Sequence, residues 1–250
     1  MPPVLELDQV VFRRDEATIL DGVSLALAPG ETVALLGRSG GGKSTLLQLA
    51  NALLWPAAGE VRVEGKSTLA WDAFALRRRT GFVLQEGGLF PHFTVARNIG
   101  LVPSLEGWAA DRIQARVAEL LALVALDPAL ASRFPAQLSG GQRQRVGVAR
   151  ALAADPPLLL CDEPFGALDP LTRAALQQEF VRLQRSLGKS ALFVTHDLRE
   201  ALVVADRIAL LDAGRLAVLA TPRDFLQATH PLAVAFRDAL ALPAGLEAAR

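Results

Sequence analysis

The sequence predicts an α/β fold built on a mostly parallel sheet, with an antiparallel β edge and an inserted α-helical subdomain. Three observations predict it. The run TVALLG (32–37) is apolar throughout, as a parallel strand covered on both faces must be. Further apolar runs, GFVLQ (81–85), PLLLC (157–161), ALFVT (191–195) and RIALLD (207–212), are mostly separated by helix-periodic stretches, the alternation that makes a parallel sheet. Between Gln85 and Pro157 no convincing strand occurs and helical patterns take over.

Taken in order, LELDQVVF (5–12) and VRVEG (61–65) are short strand-like runs on either side of TVALLG and form the expected edge. TLLQLANALL (45–54) reads as a helix following a glycine-rich loop. Ile113, Val117, Leu120, Leu121 and Val124 mark one amphipathic helix, and a second begins near Gly141. Leu176, Phe180, Leu183 and Leu187 then recur with helical spacing, with Asp169 placed to cap the start, Pro170 in the first turn and Gly188 at the end. The tail opens on a Thr221 cap and Pro222, reads as two short helices and finishes in a loose Pro/Gly end. The expected division is 1–88 for the first part of the core, 89–155 for the helical insert, 156–220 for the second part and 221–250 for the tail.

Composition removes several classes. Although 51% of the 250 residues are hydrophobic, charges, Pro or Gly break every apolar stretch well before the roughly 18 residues a spanning helix needs. The start, MPPVLELDQVVF, has no basic segment before an apolar core, so the expectation is a cytosolic chain. Twenty-six basic residues balance 26 acidic ones, leaving no overall field for nucleic acid, and no nucleic-acid partner is expected. One cysteine and three scattered histidines supply neither disulfides nor a zinc cluster, and Cys161 reads as a small core residue.

GRSGGGKST (37–45) fits G-x-x-x-x-G-K-[ST] between an apolar strand and a helix, which makes the core P-loop NTPase-type. Gly37, Gly40, Gly41 and Gly42, with Arg38 and Ser39 between them, let backbone N–H groups turn onto phosphate oxygens. Lys43 places a point charge on the β- and γ-phosphates, the Ser44 hydroxyl is a ligand for Mg²⁺, and Thr45 adds a polar contact. Only three lysines occur in the chain, and one stands where a compact ammonium is needed.

LLLCDEP (158–164) puts two carboxylates at a strand's carboxyl end, where open α/β sheets bind ligands. Asp162 would hold Mg²⁺ and Glu163 would take a proton from an attacking water. GFVLQ brings Gln85 to the same side, suited to orient water or Mg²⁺, and LFVTHD brings His196 within reach of a γ-phosphate. His92 and His230 carry no such context.

A second glycine loop, LSGGQRQRV (138–146), opens another helix 96 residues after Lys43. One nucleotide does not need two such loops. Two copies stacked head to tail would explain both, each second loop closing on the phosphates held by its neighbour.

In this order, GRSGGGKST, Gln85, LSGGQRQRV, LLLCDEP, ALD (167–169) and His196 resemble the nucleotide-binding motifs of ABC transporter ATPases over nearly the whole chain. The resemblance implies ATP as the nucleotide and hydrolysis through Glu163, His196, Gln85 and Lys43. It also implies contacts from Ser139, Gly140, Gly141 and Gln142 to the partner's ATP, with Asp169 at the dimer contact. The family usually stacks adenine on an aromatic side chain in the first strand; this chain has no tyrosine, and either Phe12 or Arg14 would cover the base.

A clamp that closes on ATP must move another polypeptide. EGGLFPHFTVARNI (86–99) offers Leu89, Phe90 and Phe93 either as core or as a seat for a permease helix. The run GLFPHFTVARNIGLVPSLEGW resembles the subfamily serving importers of glycine betaine, carnitine, choline and related osmoprotectants. That implies a homodimer, integral permease subunits, an extracytoplasmic substrate-binding protein and a peripheral place on the cytoplasmic membrane face. Import of amino acids or sulfonates, a soluble ABC ATPase and a P-loop kinase are the competing readings.

Overall fold

Apolar runs too continuous to leave either face in water are the seed of the architecture. The computed structural model describes residues 2–240 except Ala167, and of Glu86 only the backbone. In chain order the strands are β1 (Leu5–Arg14), β2 (Ala17–Leu27), β3 (Thr32–Gly37), β4 (Ala58–Val63), β5 (Lys66–Ser67), β6 (Thr80–Val83), β7 (Leu158–Asp162), β8 (Ser190–Thr195), β9 (Arg207–Asp212) and β10 (Arg215–Ala220). The helices are α1 (Lys43–Ala50), α2 (Ala73–Arg79), α3 (Val95–Ile99), α4 (Leu101–Leu105), α5 (Ala110–Leu123), α6 (Gly140–Leu152), α7 (Pro170–Ser186), α8 (Leu198–Val204), α9 (Pro222–Phe225) and α10 (Pro231–Asp238).

Among the described residues the strands form two sheets, ordered β10-β9-β3-β8-β7-β6 and β2-β1-β4-β5. The first is parallel from β9 to β6, with β10 antiparallel at one edge; every residue of β3 and of β8 is buried. The second is antiparallel throughout, so the expected β edge is a sheet of its own. Two hairpins turn on two residues with positive φ, Glu64-Gly65 and Ala213-Gly214, the primed geometry whose twist suits paired strands.

Among the described residues three apolar cores result. One lies under the antiparallel sheet and α1, around Leu35, Leu47, Leu160 and Val194. Another joins the parallel sheet to α5, α6 and α7 through Leu120, Val146, Phe180 and Phe193. The third seats α8, α9 and α10 on the same sheet face as the second, toward β3 and β9, through Leu198, Leu210, Phe225 and Leu232. Cys161 is fully buried, and burial pushes its thiol far above the ordinary range, so it is a packing residue.

Local chemistry fixes the helix starts as the sequence implied. Asp169 accepts from the Thr172 N–H at 3.0 Å with Pro170 directly after it, and Thr221 caps α9 in the same way. The loose end at 241–250 lies outside the described residues. No helix among those described is long and apolar enough to cross a membrane.

Candidate nucleotide site

Four adjacent parallel strands bring the candidate residues to one end of the sheet. The loop after β3 turns into α1 without any side-chain cap and with no acidic residue in the first turn, leaving its N–H groups for an anion. Gly42 has φ of 93°, and a Cβ there would stand 2.7 Å from the Leu20 side chain and 3.2 Å from the Ile19 carbonyl. Only glycine lets the loop lie this close to β2.

Lys43 is 5% exposed and its ammonium donates to the carbonyls of Gly37 and Arg38, both at 2.8 Å. Burial lowers its pKa, while Glu163 and Asp162 act to raise it. Ser44 Oγ donates to Asp162 Oδ1 at 3.2 Å, across from β7. Burial raises the Asp162 carboxyl above its ordinary range, against the Ser44 hydrogen bond. A hydroxyl and a half-buried carboxylate with no cationic side chain hydrogen-bonded to it form the hard-oxygen pair that Mg²⁺ prefers. These two residues fit that ion.

Glu163 follows β7 with φ of +44°, a left-handed conformation uncommon for a non-glycine residue. Its N–H donates to the Val194 carbonyl at 3.1 Å, and its Oε2 lies 3.0 Å from His196 Nδ1 beyond β8. Gln85 begins a 3₁₀ turn after β6, and a side chain at Gly166 would meet its amide nitrogen at 3.4 Å. Gln85 therefore reaches the segment just beyond Glu163.

A cavity of about 280 Å³ is lined by Ser39, Gly40, Gly42, Lys43, Ser44, Thr45 and Glu163, with Arg14 and Ile19 as its side wall. Of the two residues expected to cover a base, Phe12 is 9% exposed and packs in the core under the antiparallel sheet, whereas Arg14, at the exposed end of β1, lines this cavity. The β1 ladder alternates inward at Val10 and Phe12, and the ring follows that inward face. Ile19 had no motif to flag it.

The second glycine loop lies elsewhere. Ser139 accepts from the Gln142 N–H at 3.2 Å while Gln142 Oε1 accepts from the Ser139 N–H at 2.9 Å, a closed capping box at the head of α6. Gly140 and Gly141 face Leu168 and Thr172 at the start of α7, and none of residues 139–142 lines the cavity that holds Lys43. Asp169 sits exposed at that same α7 start, its carboxyl held below the usual range by hydrogen bonds from Thr172.

The turn after Gln85 is clamped to α6. Arg150 donates to the Gly87 and Gly88 carbonyls at 2.8 and 2.9 Å, and a Cβ on Gly147 would lie 3.0 Å from Gly87 Cα. Next along the chain, fully buried Asn98 binds the Phe90 N–H and the Phe90, Phe93 and Thr94 carbonyls. That clamp leaves Phe90 41% exposed beside a groove of about 430 Å³ lined by Leu53, Arg77, Leu84, Leu101 and Val102. Leu89 packs into the helical core instead, and Phe93 is half-buried under Arg97.

A phosphate loop on a parallel sheet, facing an Asp-Glu strand end and a histidine, defines a P-loop nucleotide-binding protein. Residues 20–166 match the ABC transporter family profile, and the chain belongs to that family. It is 46% identical over 226 residues to the Glycine betaine/carnitine/choline transport ATP-binding protein OpuCA of Bacillus subtilis (strain 168), covering 90% of this chain and 59% of that protein. To the Glycine betaine uptake system ATP-binding protein YehX of Escherichia coli (strain K12) it is 49% identical over 207 residues, covering 83% of this chain and 67% of that protein. The chain thus spans between a half and two thirds of the length of the first of these relatives. Among solved structures, the ATP-binding cassette MJ0796 dimer in a post-hydrolysis state with ADP and Pi superposes with a TM-score of 0.77 at 34% identity, covering 88% of this chain and 99% of that one.

Proposed function

We propose that this chain is the ATP-hydrolysing subunit of an ABC importer, working as a head-to-tail homodimer that encloses ATP between subunits. The carrying observation is the separation of the two glycine loops: one shares a cavity with Glu163, and the other, headed by Ser139, does not line it. A second copy supplies the missing wall.

In this reading the N–H groups of residues 39–43 hold the phosphates, and Lys43 exchanges the Gly37 and Arg38 carbonyls for phosphate oxygens. Ser44 and Asp162 would hold Mg²⁺, with Gln85 as a further oxygen donor. When bound, that ion neutralises charge on the β- and γ-phosphates. Glu163 accepts a proton from the attacking water, and His196 holds the Glu163 carboxylate through Nδ1. Ser139, Gly140, Gly141 and Gln142 of the facing copy close on the terminal phosphate, with Asp169 at the contact.

The clamp between α6 and the Gln85 turn links this site to the Phe90 groove, where a cytosolic helix of a permease is proposed to sit. The chain then lies peripherally on the cytoplasmic membrane face, served by an extracytoplasmic binding protein. The names of its relatives favour a small quaternary-amine solute such as glycine betaine, carnitine or choline as cargo.

The test is purification of the native complex followed by ATPase assay with each solute. Co-purifying membrane subunits and turnover raised by a quaternary amine support the proposal. ATP hydrolysis with no membrane partner, or stimulation only by an unrelated solute, rejects its transport or cargo part.

A further inference from the structure

Behind the candidate site lies a carboxylate that the proposed hydrolysis leaves unused. Glu200, on α8, is 5% exposed and accepts a hydrogen bond at 3.2 Å from Nε2 of Gln177, itself 8% exposed on α7. Thr195, the residue before His196, lines the same small cavity as Glu200. Burial pushes the Glu200 carboxyl above its ordinary range, in opposition to its polar neighbours Thr195 and Gln177.

A cavity of about 30 Å³ is lined by Glu163, His196, Arg173 and Glu200 together, enough for one water. Arg173, one turn before Gln177 on α7, donates to the Phe165 carbonyl at 3.2 Å and the Leu168 carbonyl at 3.0 Å. One stretch of α7 therefore grips both the segment leading from Glu163 to Asp169 and the carboxylate beside His196.

A buried carboxyl beside neutral polar groups is a poor way to fill a core, since an apolar side chain of that size would cost less to bury. What it adds is direction. We propose that Glu200 is a positioning residue: through Thr195 and Gln177 it fixes His196 against Glu163 and ties that pair to the helix headed by Asp169. The inference rests on the proposed ATP hydrolysis. If a partner subunit presses on the start of α7, this tie carries the displacement to the His196–Glu163 pair. Reacting groups then align when the second copy is in place.

The test is steady-state ATP hydrolysis by the full chain carrying Glu200→Ala, Glu200→Gln, Gln177→Leu, or Gln177→Leu with Glu200→Ala. Misplacing a reacting group by about 1 Å can cost on the order of 100-fold. The expectation is a kcat lowered at least about ten-fold by Glu200→Ala, with KM for ATP within about two-fold. Glu200→Gln keeps polar contacts with both neighbours and should recover to within about three-fold of the parent. The double variant should be no slower than Glu200→Ala alone, because both act through one tie.

A Glu200→Ala protein turning over at the parental rate overturns the inference. So does a Glu200→Gln protein as slow as Glu200→Ala, which would make the ionised carboxylate the working form. A fall in thermal stability with kcat and KM both disturbed in every variant also overturns it, as packing alone would then suffice. A parent chain that does not hydrolyse ATP rejects the proposed function itself, and this inference with it.

Discussion

Nδ1 of His196 stands 3.0 Å from Oε2 of Glu163, joining the ends of two neighbouring parallel strands. The Glu163 N–H is fixed to Val194 at 3.1 Å, so backbone and side chain of this glutamate are both held from β8. A carboxylate so held is ready to take a proton without first being oriented.

Glu163→Gln keeps the shape and removes the carboxylate proposed as the base. Turnover should fall by roughly 10² to 10⁴, the usual worth of a positioned acid–base group. ATP-bound dimers should persist in gel filtration. Turnover within a few-fold of the parent would remove Glu163 from this role.

Reciprocal sites predict rescue between two dead subunits. Lys43→Ala and Ser139→Arg should each abolish hydrolysis alone. Mixed, they form heterodimers in which one pocket pairs an intact phosphate loop with an intact Ser139 loop, so about a quarter of parental activity should return. No recovery in proven heterodimers would mean that each subunit completes its own pocket.

Arg14, rather than Phe12, lines the cavity that holds Lys43, the proposed nucleotide site. A guanidinium plane stacks on any purine without reading its edge. Arg14→Ala should therefore raise KM for ATP and GTP by similar factors of about 5 to 30, since stacking on a base is worth roughly 1–2 kcal/mol, with kcat little changed. A loss confined to ATP would argue for edge recognition.

Phe90 is held half out of the surface by Asn98. Phe90→Asp should abolish co-purification of the permease while leaving ATP-driven dimerisation of the isolated chain intact. An assembled complex at parental yield would rule out docking at this groove.

Glu31 provides a pH test of stability. Burial alone would raise its carboxyl, but hydrogen bonds from Arg207 and from the Ala28 N–H outweigh that and hold it low. The folded chain then binds fewer protons here than the unfolded one, so the stabilisation is full above the ordinary glutamate range and fades as pH falls through the lowered value. Glu31→Gln should cost roughly 1 kcal/mol, about 2–4 °C in Tm, at neutral pH. In acid the two melting curves should converge. A Tm gap that persists there would place the effect in packing.

Elements decided by local chemistry were readable from the residues alone. TVALLG became β3 because a run of six residues centred on apolar Val33, Ala34, Leu35 and Leu36 is buried on both faces and too short for a core helix, and Asp169-Pro170 started α7 because a cap and a fixed φ leave little choice. Elements decided by distant partners were not. β2 carries Asp21-Gly22 in its middle and is held as a strand by its ladder to β1, with the Asp21 N–H reaching the Gly214 carbonyl at 2.9 Å and its carboxylate meeting Arg215. β10 is an edge strand of intermediate burial, without the continuous apolar run of its neighbours. The phosphate and carboxylate residues announced themselves as motifs. Glu200 did not, because a glutamate in the polar stretch DLRE reads as a solvated helix face until Gln177 is seen beside it.

Gly87 and Gly147 touch backbone to backbone, with Arg150 pinning the same turn. In a head-to-tail pair, Gln85 would serve one nucleotide and the Ser139 end of α6 the other. Any swing of this welded unit must then loosen both pockets in one stroke. The two engines of the proposed dimer would share a crankshaft, and a permease pulling on either one would set the timing of the pair.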